Sequence, residues 1–265
     1  MDLITIRASS LSDLCDCPAR WEAKYIKGLR LPGSSAAWLG TSIHAGTAVY
    51  DQAKLDGDPI SIDDAAGVAV DTLYHPREDI NWEDTSPEKL ESTATGLLGL
   101  YCNQIAPVQN YIAVEATCEA LEIEDIGIKL TGTTDRIRED INGEYGIADI
   151  KTGGSVVATD GTVKTASHAA QIAVYELLAE QSTGLEMTAA AQIIGLQTAK
   201  TAKGQRAGIG TMQGAKDILL GDEENEGLLA IVSKILHTGL FYGNPRSSLC
   251  SQKYCPNYPT CRFKR

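Results

Sequence analysis

Two aspartates, Asp135 and Asp149, stand in segments that read as neighbouring β-strands joined by a tight turn, in the stretch TGTTDRIREDINGEYGIADIK over residues 131–151. Side chains along a strand alternate between the two faces of a sheet. Asp149 and Lys151 are therefore predicted to project from one face, while the residues between and before them project from the other. This spacing puts a carboxylate and an ammonium side by side.

The turn between the two strands sets which residues face each other. A three-residue loop over 141–143, with its glycine in the left-handed position, pairs Glu144 with Asp140. Counting along both strands from that pair places Asp149 directly opposite Asp135. The two carboxylates would then lie roughly 5 Å apart, a distance at which like charges destabilise a sheet.

A divalent cation between the two carboxylates would reverse the sign of this interaction, because hard cations such as Mg²⁺ take carboxylate oxygens as ligands. Lys151 on the same face could stabilise negative charge that develops on a phosphate or help to activate water. The alternative is a solvated hairpin with a surface Asp149–Lys151 pair. A D-x-K triplet alone does not separate the two, since short motifs have many chance matches.

Three of the seven cysteines, Cys250, Cys255 and Cys261, fall in the last sixteen residues and indicate a second metal site. Three thiolates do not complete a four-coordinate site. The fourth ligand is predicted to come from the N-terminal segment CDCPARW, where Cys17 is the first candidate and Cys15 its competitor. Zinc accepts four thiolates. Cys102 and Cys118 read as small buried hydrophobic residues.

The composition restricts the class of protein. With 265 residues and 43% hydrophobic content, the chain is long enough for a sizeable core. No apolar run approaches the roughly 20 residues of a membrane span, and MDLITIRASS lacks the features of a signal peptide, so a cytoplasmic location is expected. The formal net charge of −12 argues against a broad surface for polyanions, although local basic patches can still bind a phosphate backbone.

The hydrophobic pattern predicts helices in the N-terminal third and strands after it. A first helix begins at Ser9 or Ser10, is interrupted at Pro18 and ends by Gly28. Helices are also predicted in AAWLGTSIHAGTAVYDQAKL, from Pro87 to about 104, in SHAAQIAVYELLAEQ and around EGLLAIVSKILHTG. Residues 111–151 read as an antiparallel meander of three strands, AAAQIIGLQTA as a strand buried on both faces, and KTAKGQRAG as a mobile loop.

Several short motifs in a fixed order resemble those of the RecB-like nucleases of the PD-(D/E)XK superfamily, and they extend over nearly the whole chain. They are His44 in GTSIHAG, Glu115 in VEAT, Asp135 in GTTDRI, the triplet Asp149–Lys151, and Gln171 with Tyr175 in QIAVY. Glu119 could take the place of Glu115. The resemblance implies an α/β fold with a restriction-endonuclease-like core, in which helices flank a central mixed sheet. It also implies a helical N-terminal insertion and a C-terminal tail stapled by cysteines.

The same resemblance implies one nuclease domain over residues 1–265. Residues 1–110 would form a mainly helical part carrying His44, 111–200 the catalytic sheet and helix, and 201–265 the last helix and the cysteine cluster. Roles follow by position. His44, Asp135, Asp149 and the Ile150 carbonyl would bind Mg²⁺ or Mn²⁺. Lys151 would be the catalytic lysine, and the remaining catalytic positions would be Glu115, Gln171 and Tyr175.

In one branch of RecB-like nucleases, which includes the AddB subunit and the CRISPR adaptation nucleases, one cysteine before the active site and three after it hold a [4Fe-4S] cluster. The resemblance thus implies an iron–sulfur cluster on Cys17, Cys250, Cys255 and Cys261, with zinc as the alternative. The first tail interval, four residues, is longer than the two expected for that branch.

The resulting hypothesis is a metal-dependent deoxyribonuclease, an exonuclease that acts on single-stranded or duplex DNA ends in recombination, repair or phage DNA processing. A structure-selective endonuclease such as a junction resolvase, a non-catalytic DNA-binding subunit and a zinc-stapled scaffold are the alternatives. No phosphate-loop motif is present, so unwinding would need a helicase, or a recombination or annealing protein, as partner. The basic residues expected to contact DNA are Arg20, Lys24, Lys200, Lys203 and Arg206.

Overall fold

A computed structural model describes residues 3–83 and 85–264. Its central element is a five-stranded mixed sheet in the order β10-β9-β8-β7-β4. The strands are β4 (Tyr111–Thr117), β7 (Thr133–Glu139), β8 (Tyr145–Gly153), β9 (Ala191–Gln197) and β10 (Arg206–Met212). Strands β4, β7 and β8 are antiparallel, as predicted, and β9 runs parallel to β8. The predicted α/β class is confirmed.

The hairpin between β7 and β8 has the predicted register. Gly143 has φ = 80°, and the amide of Asp140 donates to the Glu144 carbonyl at 2.8 Å, which closes a three-residue loop. Arg136 then lies opposite Ala148. One step further in the same register, Asp135 would face Asp149, but the paired ladder ends at Arg136 and Ala148.

The meander is interrupted between β4 and β7, where the sequence pattern predicts continuous strands. Strands β5 (Leu121–Ile123) and β6 (Ile128–Thr131) leave the main sheet and join β1 (Ile4–Arg7) in a separate sheet of order β1-β6-β5. Gly132 separates β6 from β7, and a Cβ there would lie 3.0 Å from the Tyr175 ring. The chain passes from one sheet to the other at Gly132, where the backbone lies too close to Tyr175 of the helix Ala169–Thr183 for a side chain to fit.

Helices cover both faces of the main sheet. On one face lie α3 (Ser35–Leu55), α4 (Ile62–Tyr74) and α5 (Pro87–Leu100), packed on Ala148 and Ile150. The other face is covered by α1 (Ala8–Asp16), α6 (Ala169–Thr183) and α8 (Leu228–Thr238), packed on Ile147 and Ile193. The remaining elements are α2 (Pro18–Trp21), α7 (Ala215–Leu220) and the short strands β2 (Gly33–Ser34) and β3 (Ile80–Asn81). As predicted, the first helix breaks before Pro18.

The segment predicted as a mobile loop, residues 200–208, ends in an edge strand. Residues 200–205, which include Lys200 and Lys203, lie outside strands, and β10 pairs with β9 from Arg206 to Met212. Glycines at 208 and 210 hide the strand from pattern analysis, yet a Cβ at either position would lie 2.7–3.0 Å from its nearest neighbour. Among the described residues, no helix is long and apolar enough to cross a membrane.

Candidate active site

The candidate site lies where strands β7 and β8 separate. Their pairing ends at Arg136 and Ala148. Beyond this point the Asp135 carboxylate replaces a backbone partner on β7. Its Oδ2 accepts a hydrogen bond of 2.8 Å from the amide of Ile150. Opening of the ladder thus frees the Ile150 carbonyl and brings Asp135 beside it.

Helix α3 adds a histidine at the same point. Gly40 packs so closely on β8 that a Cβ would lie 2.6 Å from Thr152 Oγ1. One turn later, His44 Nε2 is 2.8 Å from the Ile150 carbonyl oxygen, and its Nδ1 is 3.5 Å from Asp135 Oδ2. The close approach at Gly40 therefore allows the imidazole to reach the strand.

Strand β4 adds Glu115, which has a left-handed backbone with φ = 46°. Such a conformation is unfavourable for a non-glycine residue and clusters at functional sites. One ligand atom each from His44, Glu115 and Asp135 lies within 4.8 Å of the others. Glu119, the alternative to Glu115, is exposed beyond the end of β4 and is not part of this group.

The donor set of this cluster fits a hard or borderline divalent cation. It combines an imidazole nitrogen with two carboxylates, and the Ile150 carbonyl lies next to them. The pKa of Glu115 is raised, first by partial burial of its carboxylate and then by the charge of Asp135. The Glu115 side chain remains 45% exposed. A cation would relieve this repulsion.

Asp149 and Lys151 form a second group beside the cluster. The Lys151 ammonium lies 2.7 Å from Asp149 Oδ2, and burial raises the pKa of Asp149 to about 6, against the opposing effect of Lys151. Apart from this ion pair, no described residue forms a hydrogen bond with Oδ2, so a cation at this atom would compete with Lys151. Lys151 also donates to Gln171 at 3.0 Å, and Gln171 donates to the Tyr175 hydroxyl at 2.9 Å.

Two residues near the site were not predicted. Arg136 is fully buried, donating to Asp51 at 2.7 Å and to Glu115 at 3.2 Å. His168, just before α6, lies near Lys151. Its pKa is lowered to about 4, mainly by burial and to a smaller extent by the positive charge of Lys151. Strand alternation could have placed Arg136 on a buried face, but nothing local marks Asp51, 85 positions earlier, as its partner.

The four predicted cluster cysteines, Cys17, Cys250, Cys255 and Cys261, line one cavity. Cys15 is not among the residues that line it and packs on the hydrophobic core instead. Across the residues that the structure describes, no three cysteines have their sulfurs mutually within 4.8 Å. Cys102 and Cys118 are buried, as predicted.

The basic residues expected to contact DNA lie in different environments. Arg20 is a correction: it is 2% exposed and pairs with Asp13 and Asp16, each at 3.0 Å, so it is not available to phosphate. Lys24 pairs with Asp13 as well. Arg206 lies in β10 and donates to the Val157 carbonyl at 3.1 Å. Only Lys200 and Lys203 are exposed as expected.

Two solved structures resemble this chain at low sequence identity. A protein described as "Putative exonuclease" from Eubacterium rectale has a TM-score of 0.52 at 13% identity, covering 89% of this chain and 80% of that chain. The protein SSO0001 has a TM-score of 0.44 at 16% identity, covering 98% of this chain and 87% of that one. Curated proteins give no significant match.

The sequence pattern of one family extends over almost the whole chain. The pattern described as the PD-(D/E)XK nuclease superfamily matches residues 5–262, which include every residue of the candidate site. Members of this superfamily are hydrolases that act on DNA. The chain therefore belongs to the PD-(D/E)XK nuclease superfamily.

Proposed function

We propose that this chain is a Mg²⁺- or Mn²⁺-dependent deoxyribonuclease of the RecB-like branch, acting as an exonuclease on DNA ends. The main support is the convergence of His44, Glu115 and Asp135 from three different elements, with Lys151 next to them. An imidazole, several carboxylates and one lysine at the mouth of a splayed hairpin are the groups that phosphodiester hydrolysis requires.

His44, Glu115, Asp135 and Asp149 would hold the cation, together with the Ile150 carbonyl. When bound, the cation polarises the phosphodiester and lowers the pKa of water at the site. Asp135 keeps the Ile150 carbonyl oriented through the 2.8 Å hydrogen bond from the Ile150 amide. Asp149, whose Oδ2 pairs with Lys151 at 2.7 Å, would be a further ligand.

Lys151 is the proposed catalytic lysine. Its ammonium would stabilise negative charge that develops on the phosphate in the transition state. Gln171 fixes the lysine through a 3.0 Å hydrogen bond, and Tyr175 fixes Gln171 in turn. Both therefore act as positioning residues, and Glu115 acts through the cation.

Exonuclease action is proposed over junction resolution because the Eubacterium rectale protein of the same fold is described as a "Putative exonuclease". Any duplex unwinding would come from a helicase, or a recombination or annealing protein, as partner. Recombination, repair and phage DNA processing are the settings that use such an enzyme.

We propose that the cysteine cavity holds a [4Fe-4S] cluster rather than zinc. Tetrahedral zinc with Zn–S bonds of about 2.3 Å brings its four sulfurs to about 3.8 Å from one another. No three of the described cysteine sulfurs lie within 4.8 Å of one another, so zinc would require them to move closer together. The proposal of a cluster is supported by the resemblance to the branch with one cysteine before the active site and three after it. The cavity volume of about 10 Å³ leaves room for it only if the tail moves outward.

A cleavage assay tests the proposed activity. Linear and circular DNA, each single- and double-stranded, would be incubated with Mg²⁺ or Mn²⁺ and either wild type or Lys151→Ala. Lys129→Ala is a matched control, because Lys129 also lies on a strand and pairs with a carboxylate at 2.7 Å. We expect loss of linear DNA with wild type and Lys129→Ala only, and only with metal. Cutting of circular DNA would indicate an endonuclease, and no cutting at all would contradict the nuclease proposal.

A further inference from the structure

A long groove lies beside the start of α3. It consists of two adjoining cavities, of about 700 and about 230 Å³, which share Glu83 as a wall residue. Ser34 lines the smaller cavity and Ser35 the larger one, so the two are continuous along the start of α3. We refer to both cavities together as the α3 groove.

The groove lies along the helix that carries His44. Its larger cavity is lined by Leu39 of α3 and by Thr198, which follows the end of β9. Leu39 precedes His44 by five residues, or about 8 Å along the helix axis. β9 lies beside β8 and ends at the level of Gly153, two residues after Lys151. The α3 groove thus continues outward from the carboxyl end of the strand that carries Lys151.

The charge of the groove is opposite to that of the whole protein. Five basic residues line it, and among the described lining residues Glu83 is the one acid. The basic residues are Lys24, Arg30, Lys89, Lys200 and Lys253. The whole chain has 35 acidic residues against 23 basic ones. Such a local excess in an acidic protein provides a path for a phosphate backbone.

Each cavity also contains an aromatic side chain. Trp82 lines the larger cavity, and Tyr254, which is 47% exposed, lines the smaller one. The Lys253 ammonium lies 5.5 Å from the centre of the Tyr254 ring. Glu83, next to Trp82, has a left-handed backbone with φ = 49°, and among the described residues Glu115 alone is the other non-glycine residue of this kind. Strained backbone is thus found at the site and in the groove.

We propose that the α3 groove binds single-stranded DNA and leads it to the active site, an inference that rests on the proposed nuclease function. Unpaired bases would stack on Trp82 and Tyr254, while Lys200, Arg30 and Lys253 contact the backbone. Aromatic platforms alternating with basic groups are how proteins bind single strands without sequence preference. A duplex offers no free base faces to these rings, so the substrate has a single-stranded end.

Tryptophan fluorescence reports directly on the groove. The chain has three tryptophans, of which Trp21 and Trp38 are 1% and 6% exposed, whereas Trp82 is only half-buried. We expect oligo(dT) to quench the emission of the metal-free protein in EDTA, and Trp82→Phe to remove most of that quenching. Quenching that persists in Trp82→Phe would contradict a base on this ring.

Affinity measurements test the second platform with matched controls. Tyr254→Ala is compared with Tyr242→Ala, since Tyr242 is 51% exposed but lies outside the groove. We expect Tyr254→Ala to weaken oligo(dT) binding by about 5- to 150-fold, the loss for one stacked base, and Tyr242→Ala to leave it unchanged. Fluorescence anisotropy in EDTA measures both. Equal effects of the two variants would overturn the proposal.

Salt dependence separates backbone contact from packing. Lys253 pairs with Glu83 at 2.8 Å, and Lys234 pairs with Glu226 far from the groove, so Lys234→Ala is the control for Lys253→Ala. Lys253→Ala should reduce the slope of log affinity against log salt by about 0.7, the value for one phosphate of a single strand. An unchanged slope would count against phosphate contact at Lys253.

These binding tests do not need catalysis, so the two proposals can fail separately. If wild type cuts linear DNA but the groove variants bind oligo(dT) like wild type, the groove proposal is wrong and the nuclease proposal stands. If wild type binds oligo(dT) in the groove but never cuts DNA with metal, the groove stands and the activity fails. Tighter binding of blunt duplex than of oligo(dT) would contradict the single-strand assignment.

Discussion

Asp135 and Asp149 differ in what surrounds each carboxylate. Asp135 bonds to the Ile150 amide and lies near His44, so its charge is supported by polar neighbours. Asp149 is almost fully buried, and burial raises its pKa to about 6 even though Lys151 acts in the opposite direction. In the metal-free protein, Asp149 is thus an ionised group held in an unfavourable place.

Replacing Asp149 should stabilise the metal-free protein while removing activity. Because the folded-state pKa of about 6 exceeds the ordinary 3.8, the folded state binds the proton more tightly, and stability falls as the pH rises from about 4 to about 6. At pH 8 in EDTA, the free energy of unfolding of Asp149→Asn should therefore be higher than that of wild type by roughly 1–3 kcal/mol. Urea denaturation at pH 5 and pH 8 measures this, and cleavage should be lost.

Asp140 on the same hairpin is the control of opposite sign. Hydrogen bonds from the backbone amides of Glu144 and Asn142 hold the pKa of Asp140 below its usual value. Its contribution to stability is present above its ordinary pKa and is lost on acidification. Asp140→Asn should consequently lower stability at pH 8. Changes of the same sign in both variants would contradict the account of Asp149.

At the scale of the elements, Arg136 of strand β7 links this strand to helix α3. Its guanidinium bonds to Asp51 and Thr47 of α3, and to Glu115 of β4. The Tyr101 hydroxyl also donates to Asp51. The buried guanidinium of Arg136 therefore fixes the relative positions of β7, α3 and β4, the three elements that carry Asp135, His44 and Glu115.

Arg136→Lys should disturb the metal site through Glu115. Lysine keeps the charge but cannot bond to Asp51 and Glu115 at once. We expect a loss of stability of about 1–3 kcal/mol and a higher Mn²⁺ concentration for half-maximal cleavage. Arg138→Lys is the control, because Arg138 lies two residues further on and donates to the Ala190 carbonyl instead. An unchanged Mn²⁺ requirement in Arg136→Lys would show that Glu115 does not depend on it.

The close packing of α3 on β8 at Gly40 can be tested by adding a methyl group there. Gly40→Ala would place a methyl group 2.6 Å from Thr152 Oγ1, push α3 away and move His44 off the Ile150 carbonyl. We expect reduced cleavage, with partial recovery in Gly40→Ala/Thr152→Ala. Gly67 in α4 has open space around it, so Gly67→Ala should leave cleavage unchanged and stabilise the helix by about 0.5–1 kcal/mol. Full activity of Gly40→Ala would contradict this packing argument.

What the sequence could predict depended on how local the signal was. The hairpin register follows from one turn and a strict alternation, and it was predicted correctly as far as Arg136 and Ala148, where the paired ladder ends. β10 was missed because its glycines replace the apolar residues that mark a strand. The Arg136–Asp51 pair joins positions 85 apart, and the Lys253–Glu83 pair joins positions 170 apart. Such contacts depend on the tertiary fold and leave no periodic signal.

At the scale of the whole molecule, the C-terminal tail is fastened to the N-terminal helices next to the cysteine cavity. Arg20 bonds to Asp16 and Ser247, and the amide of Ala19 donates to the Tyr242 carbonyl at 3.0 Å. The amide of Asn244 contacts Cys17 Sγ at 3.4 Å. A group bound by the four cysteines would close the same junction, which also presents Tyr254 to the α3 groove.

Metal analysis tests this junction independently of activity. Anaerobically purified wild type should contain iron and sulfide, and Cys255→Ser should lose both and unfold at a lower temperature. Cys15→Ser should keep its iron, since Cys15 is not among the residues that line the cavity. Zinc without sulfide in wild type would refute the iron–sulfur proposal, and loss of iron in Cys15→Ser would show that the ligand set is wrong.

The central claim is that the cluster of His44, Glu115 and Asp135 binds the divalent cation on which DNA cleavage depends. The most direct measurement is the rate of cleavage of linear DNA against Mn²⁺ concentration for wild type, Glu115→Gln and Glu119→Gln. We predict that Glu115→Gln needs far more Mn²⁺ or shows no cleavage, while Glu119→Gln follows the wild-type curve. Coinciding curves for all three proteins would contradict the proposed metal site.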